Sequence, residues 1–310
     1  MIDLHTHSTA SDGTLRPEEL VELAAERGLS AMALTDHDTV AGVPAALERG
    51  EARGLHIIPG VELGIRWEGG GKMHLLGYYV RHQDGGLGER LEWLCERRRE
   101  RAQRIVKKLN AAGIQISFAQ VEEIAGGQFT LQQSSGWPGS TGLTTSERKA
   151  RAIGRPHVAR ALMEAGVVSN MGEAFGRFLS PGRPGYEDKE ELGPEEAIKL
   201  LKSVGAVAVL AHPRTLKLDA AGLARCVEEL KSYGLDGLEA IWSGHSREQM
   251  SAFKTLAKQM DLVATGGSDF HGENKPEIQL GSGRRDNVQV PDSVLEALRQ
   301  RRTPPAPSGR

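Results

Sequence analysis

Residues 1–38 read MIDLHTHSTASDGTLRPEELVELAAERGLSAMALTDHD, and their order decides the fold. A short apolar run at residues 2–4 leads into the polar cluster His5-Thr6-His7. A helical stretch follows at about 17–27, opened by Pro17 with acidic residues behind it and closed by Gly28. A second apolar run, residues 31–34, leads into another polar cluster, Asp36-His37-Asp38. Apolar strands alternating with helices predict a parallel sheet covered by helices. The rhythm continues with a helix at about 41–53 and a strand at 55–58.

Beyond that point the pattern breaks. Residues 87–112 read as one long charged helix containing Glu96-Arg97-Arg98-Arg99-Glu100-Arg101. Residues 126–145 are rich in Gly, Ser, Thr and Gln and predict a mobile loop. Two shorter helices are expected near 157–165 and 171–179. The strand–helix alternation resumes at Pro194, with strands at 206–211, 237–241 and 262–265. The expected organisation is a barrel-like domain from residues 1–84 and 192–302, with a helical insertion at 85–191. The Pro/Gly/Ser-rich tail, 303–310, is expected to be disordered.

A chain of 310 residues suits an α/β barrel carrying an insertion. Its 39% hydrophobic and 26% charged residues describe a globular protein with a sizeable core. The formal net charge of −2 supplies no global field for nucleic acid or anionic membrane, so any affinity for a phosphorylated substrate would have to come from a local site. Two cysteines, Cys95 and Cys226, exclude a disulfide framework and fit a reducing compartment. The opening residues have neither a basic start nor an apolar run, and no apolar stretch is long enough for a bilayer. A cytoplasmic location is expected.

Six polar clusters fall at predicted strand ends or on a hairpin beside them: His5-Thr6-His7 with Asp12, Asp36-His37-Asp38, Glu62, His74, His212, and Ser268-Asp269-Phe270-His271. In a parallel barrel the carboxyl ends of the strands share one face, where active sites form. His5 and His7 are two apart on an extended segment, so both imidazoles project to one side and can share a metal. Alone, an H-x-H pair could be two surface histidines, and Glu62 or His74 a satisfied polar residue. Together, nothing structural requires all of these positions to be ligand types.

The segments HTHSTASDGT, TDHDT, PGVEL, AHP and GSDFH resemble the ordered motifs of the PHP (polymerase and histidinol phosphatase) family, over residues 1–291. Within it the chain looks most similar to stand-alone phosphoesterases with a helical insertion, the 3′,5′-nucleotide bisphosphate phosphatases and the 5′-to-3′ exoribonuclease called RNase AM. Gly154-Arg-Pro-His-Val-Ala-Arg160 and Phe175-Gly-Arg-Phe-Leu179 carry that subgroup likeness. The resemblance implies a distorted TIM-like (β/α)7 barrel with a helical insertion domain and three metals. His5, His7, Glu62 and Asp269 would bind the first, Asp12, His37 and His271 the second, and Glu62 with His74 and His212 the third. His212, Asp269 and Glu62 would also be the catalytic positions, His212 more as a ligand than as a free acid.

Nitrogen and oxygen donors without sulfur suit Mn²⁺ first, with Fe²⁺ or Zn²⁺ as alternatives. Three divalent ions against three carboxylates leave a cationic pocket, where a metal-bridging hydroxide could attack phosphorus. The expected activity is removal of the 3′-phosphate from nucleoside 3′,5′-bisphosphates such as pAp, with short 5′-phosphorylated RNA as a second substrate. Histidinol-phosphate phosphatase and a non-catalytic metal-binding module are the alternatives. The second phosphate needs its own site: Arg155 and His157 open an insertion helix near its positive end, and Arg177 and Arg214 are further candidates. Each arginine could equally be a solvated side chain, and His157 a buried hydrogen-bonded one. Trp137, Phe175 and Tyr186 could stack a base, with core packing the better reading for Phe175. The Arg97–Arg104 run reads as a salt-bridged exposed helix. Asp36, Asp38 and Ser268 flank ligands and could orient them, or Asp38 could cap the helix that follows. His56, His82 and His245 receive no role.

Overall fold

The computed structural model describes residues 1–69, 71–126 and 151–302. Trp137, nearly all of the expected loop at 126–145 and the tail 303–310 lie outside the described residues. Seven strands form one sheet in chain order: β1 (Ile2–Thr6), β2 (Ala31–Leu34), β3 (His56–Ile65), β4 (Met73–Tyr78), β5 (Val207–Leu210), β6 (Gly237–Trp242) and β7 (Val263–Gly267). The ends meet, since Asp269 donates its N–H to the His5 carbonyl (2.9 Å) and His7 donates to that of Phe270 (3.0 Å). The sheet thereby closes on itself. Helices α1 (Pro17–Glu26), α2 (Val43–Arg53), α7 (Pro194–Ser203), α8 (Ala220–Tyr233), α9 (Arg247–Gln259) and α10 (Ser293–Arg301) belong to the strand–helix alternation.

All of β1 is buried. Ile2 and Leu4 join Ala31, Ala33, Val207 and Val209 inside the barrel, in a cluster with Val290, Val294 and Leu298, while the alternate residues Met32, Leu34, Ala208 and Leu210 pack with the outer helices. A register shift between Asp3 and Thr6 lets His5 share that inner side. The expected all-parallel sheet is corrected at β4. A short hairpin, too short for a crossover helix, joins it to β3, so β4 runs antiparallel to both β3 and β5. Consequently the first turn of β4, with His74, lies at the same rim as the carboxyl ends of the parallel strands.

Residues 85–191 hold α3 (Gly85–Ala111), α4 (Phe118–Ala125), α5 (Arg155–Glu164) and α6 (Met171–Ala174), the last running into a π-helical turn, Phe175–Leu179. At 27 residues, α3 is about 40 Å long. Leu87, Leu91 and Leu94 pack with Val61, Leu63 and Leu75 of the barrel. Further along, Ala102, Ile105, Val106 and Leu109 join Val121, Val158, Leu162 and Phe178 in a separate core. Among the described residues, no helix is long and apolar enough to cross a membrane.

The arginine run on α3 divides by face. Arg97 pairs with Glu100 (2.6 Å) and Arg104 with Glu187 (2.8 Å) at the surface, as the charge pattern suggests. Arg98 and Arg101 turn inward. Arg101 donates twice to the Glu187 carbonyl, and Arg98 Nε donates to Asp38 Oδ2 at 2.5 Å. Asp38 also accepts the Gly64 N–H (3.0 Å) and lies 3.5 Å from Lys189 Nζ. Asp38 is therefore a strut between barrel and α3, which corrects the capping alternative of its two readings; α2 starts from Gly42 without a side-chain cap. Burial would raise the Asp38 pKa, but Arg98 and Lys189 overcome this and hold it well below the usual carboxylate range.

Breaking a buried pair leaves an uncompensated charge. Arg98→Ala should lower the unfolding free energy by about 3 kcal/mol in denaturant titrations; a change under about 1 kcal/mol would mean that the pair stabilises nothing. Because the folded Asp38 pKa is depressed, its contribution is complete at neutral pH. It should fade as pH drops below the unfolded carboxylate value of about 4.

Candidate metal centre

Local structure brings the expected donors to one rim. His5 and His7 come from β1 and its end, Asp12 from the following loop, and His37 from the end of β2. Glu62 and His74 lie diagonally on one face of the β3–β4 hairpin, opposite Leu76 and Gly64 respectively, while His212, Asp269 and His271 follow β5 and β7. Asp36 fixes the first loop by accepting the Ser8 N–H (2.8 Å), the Ser8 hydroxyl (2.7 Å) and the Ser11 hydroxyl (2.6 Å). Asp38, His212 and Asp269 adopt positive φ (54°, 25° and 61°), a strained backbone for such residues costing about 1–3 kcal/mol each. Gly267 cannot be replaced easily: a Cβ there would lie 2.4 Å from the His5 backbone nitrogen.

Glu62 is at the centre. Its Oε1 lies 2.7 Å from His74 Nδ1 and 2.9 Å from His212 Nε2. Its Oε2 lies 3.3 Å from His5 Nε2, 3.2 Å from His7 Nε2 and 3.1 Å from His37 Nδ1. Asp269 Oδ1 approaches His5 Nε2 (3.6 Å) and His7 Nε2 (3.5 Å), and His271 Nε2 lies 3.2 Å from Asp12. Four overlapping groups have their donor atoms close enough to hold an ion: His7, Asp12, His37 and His271; His5, His7 and Asp269; His5, Glu62 and His212; His37, Glu62 and His74. All nine expected positions converge. The groups cut across the ligand division that the resemblance implies: His7 joins the Asp12 group, His212 groups with His5 and Glu62, and His74 with His37 and Glu62.

Outer contacts select which nitrogen faces inward. His5 Nδ1 is taken by Glu239 Oε1 (2.8 Å) and His271 Nδ1 by the Asp269 carbonyl (2.9 Å). The Thr215 hydroxyl donates to the Lys72 carbonyl (2.7 Å), so it accepts from His212 Nδ1 (3.1 Å). Each of these rings then presents an Nε2 lone pair inward. His5 Nε2, His7 Nε2 and His37 Nδ1 are buried without a hydrogen-bond partner. Orphaned imidazole nitrogens beside carboxylate oxygens are the donor set a divalent cation requires, and the residues fit one.

The charges agree. Burial would raise the Glu62 pKa, yet His37, His74 and His5 hold it well below the usual range. Asp12 and Asp269 are likewise held low against burial, by His271 and His37 and by Lys275 and His271 respectively. Burial pushes the pKa values of His37, His74 and His271 down, favouring the neutral ligand form. His5 and His7 go the other way. Burial opposes their charge, but Glu239 and Glu62 outweigh it at His5, and Asp269 and Glu62 raise His7 to about 9.

Four side chains here went unread in the sequence. Glu239 is the lone carboxylate in the strand Gly-Leu-Glu-Ala-Ile-Trp, a signal that could have been taken. Trp242 Nε1 (3.2 Å) and Lys275 Nζ (2.8 Å) both donate to Asp269 Oδ2, leaving Oδ1 toward the histidines. Lys72, on the hairpin, has its pKa lowered by burial and by Arg155, Lys275 and Lys189.

The expected anion-binding residues separate. Arg155, at the first position of α5, donates to the Leu179 carbonyl (3.1 Å) and lies 5.5 Å from the Phe175 ring. His157 is buried with Nδ1 accepting the Gly154 N–H (2.9 Å), the structural one of its two readings, since it closes the start of α5. Arg177 is held within the insertion by Glu173 (2.5 Å) and the Val167 carbonyl (3.3 Å). Arg214, two residues past His212, donates to the Gly244 carbonyl. Phe175 packs against the insertion core, as expected, and Tyr186 donates to Asp188 (3.0 Å).

A metal occupying His5 and His7 must displace protons these rings hold near neutral pH. Apparent affinity for Mn²⁺ should therefore rise with pH between about 6.5 and 9, with net proton release in calorimetry repeated across buffers. Affinity flat over that range would refute the raised pKa of His7.

The PHP domain profile matches residues 3–145. The 5′-3′ exoribonuclease of Haemophilus influenzae is 33% identical over 94% of this chain and 96% of its own length. The 3′,5′-nucleoside bisphosphate phosphatase of Chromobacterium violaceum is 32% identical over 92% of this chain and 90% of its own. A solved structure from Bifidobacterium adolescentis, a proposed metal-dependent phosphoesterase, matches with a TM-score of 0.81 at 30% identity, covering 98% of this chain and 96% of its own. Fold, sequence and donor cluster agree: this chain belongs to the PHP family and is a metal-dependent hydrolase of phosphate esters.

Proposed function

We propose that the protein removes the 3′-phosphate from nucleoside 3′,5′-bisphosphates such as pAp and also trims short 5′-phosphorylated RNA from its 5′ end. The observation that carries this reading is a cluster of cations around Lys72. Arg155 of the insertion and Lys275, Lys189 and Lys217 all oppose the charge of this hairpin lysine. Lys72 has no acidic partner among the described residues, so its partly buried charge sits among like charges. A second phosphate would relieve that repulsion and be gripped from both sides. The relatives bearing the phosphatase and exoribonuclease names support the same substrate class.

Three divalent ions, Mn²⁺ first, would be held by His5, His7, Glu62 and Asp269, by Asp12, His37 and His271, and by Glu62, His74 and His212. When bound, they supply Lewis acidity toward phosphoryl oxygens and lower the pKa of water to near neutrality. The chain supplies the rest. Asp12, Glu62 and Asp269 stay ionised, Trp242 and Lys275 hold Asp269 in one orientation, and Arg155 and Lys72 fix the end of the substrate remote from the scissile bond. His212, Asp269 and Glu62 are the catalytic positions, acting as ligands. A free nucleotide or RNA 5′ end in the cytoplasm is the partner, with no obligate protein partner.

The test measures phosphate release with Mn²⁺ on adenosine 3′,5′-bisphosphate, histidinol phosphate and a short 5′-phosphorylated RNA. Chelation should abolish turnover. Lys72→Ala and Arg155→Ala should each raise KM for the bisphosphate about tenfold, leaving kcat for a simple phosphomonoester unchanged. Turnover of histidinol phosphate alone would overturn the substrate assignment.

A further inference from the structure

We infer that Glu239 is the positioning residue that joins two halves of the metal centre, fixing the His5 ring from β1 and the His212 backbone after β5 through its two carboxyl oxygens. The inference rests on the ligand roles proposed for His5 and His212. Glu239 is fully buried in β6, and both oxygens are committed. Oε1 takes His5 Nδ1 at 2.8 Å and Oε2 takes the His212 N–H at 2.7 Å. No lysine or arginine pairs with it among the described residues.

Local structure aims the side chain. The β6–β7 register slips between Glu239 and Ile241, so β6 carries a bulge there, a device that redirects a side chain. The Ala240 carbonyl freed by the bulge accepts from His245 Nδ1 (3.1 Å). The bond to His5 selects its tautomer: with the proton on Nδ1, only Nε2 faces Glu62 and Asp269. The bond to His212 acts on a residue at φ 25° and ψ 66°, a conformation that needs an outside contact to persist. From that turn His212 Nε2 reaches Glu62 Oε1 at 2.9 Å. One side chain thereby sets the separation of two ligands that lie 207 residues apart in sequence, 212 minus 5.

A glutamine has one acceptor where the site needs two. In Glu239→Gln, either His5 Nδ1–H or His212 N–H must face an NH₂ group. The experiment compares Mn²⁺ binding by calorimetry, and the melting temperature of the metal-free protein, in wild type and Glu239→Gln. The expected result is tightest-site affinity reduced 10- to 100-fold with the metal-free melting temperature unchanged. Glu239→Asp, which keeps both oxygens but withdraws them by one methylene, should lose affinity too. Wild-type affinity in Glu239→Gln, or a lowered metal-free melting temperature with affinity intact, would reduce Glu239 to a structural residue. Should the variants fail to fold, nitrogen-15 NMR of Zn²⁺-loaded wild type decides: a His5 proton on Nδ1 supports the inference, and one on Nε2 overturns it. A wild-type protein that takes up neither Mn²⁺ nor Zn²⁺ overturns the metal centre itself, a failure distinct from the others.

Discussion

Everything in this molecule is arranged around one buried carboxylate. Glu62 is reached by five imidazoles, from His5, His7, His37, His74 and His212. A lone carboxylate in that position would be neutralised by burial; here the surrounding rings keep it charged. The cost of assembling so many polar groups is offset by apolar packing in the same barrel, where Ile2, Leu4, Ala31 and Ala33 pack with Val209, Ala211 and Leu298. The register shift in β1 lets one short strand carry both kinds of side chain inward.

Two kinds of feature were legible in the sequence. Strand–helix alternation located six of the seven strands, and the polar residues at their ends gave every donor now seen in the cluster. Such readings succeed because periodicity and residue type are local. The direction of β4 was less legible, since a short hairpin and a crossover differ in the length of the connection rather than in the strand's own pattern. Asp38 and Arg98 show a further limit. Asp38 read as a ligand-orienting or capping residue and Arg98 as part of an exposed salt-bridged face, and only the close approach of α3 to the end of β2 buries them together. Sixty residues separate the two, 98 minus 38, and no local rule pairs them.

Arg155, His157, Arg177 and Arg214 illustrate why anion-binding positions are harder to read than metal-donor types. Metal donors must converge by type and geometry, whereas an anion accepts any cation within reach. Lys72 and Lys275 reach the rim from a hairpin and a post-strand turn with no motif around them, while Arg177 sits in a motif-like segment and is held by Glu173. Motif membership marked relatedness there, and proximity was decided elsewhere in the chain.

The double membership of α3 has a further consequence. Its first half covers the β3–β4 hairpin in the place a crossover helix would occupy, with Leu87, Leu91 and Leu94 against the strand that bears Glu62. Its second half, from Ala102 onward, belongs to another core entirely. A single continuous rod thus spans two cores. Movement of the insertion core is therefore levered through α3 onto the strand that bears Glu62, and through the Ala152 N–H to the Ala10 carbonyl (3.0 Å) onto the loop that bears Asp12.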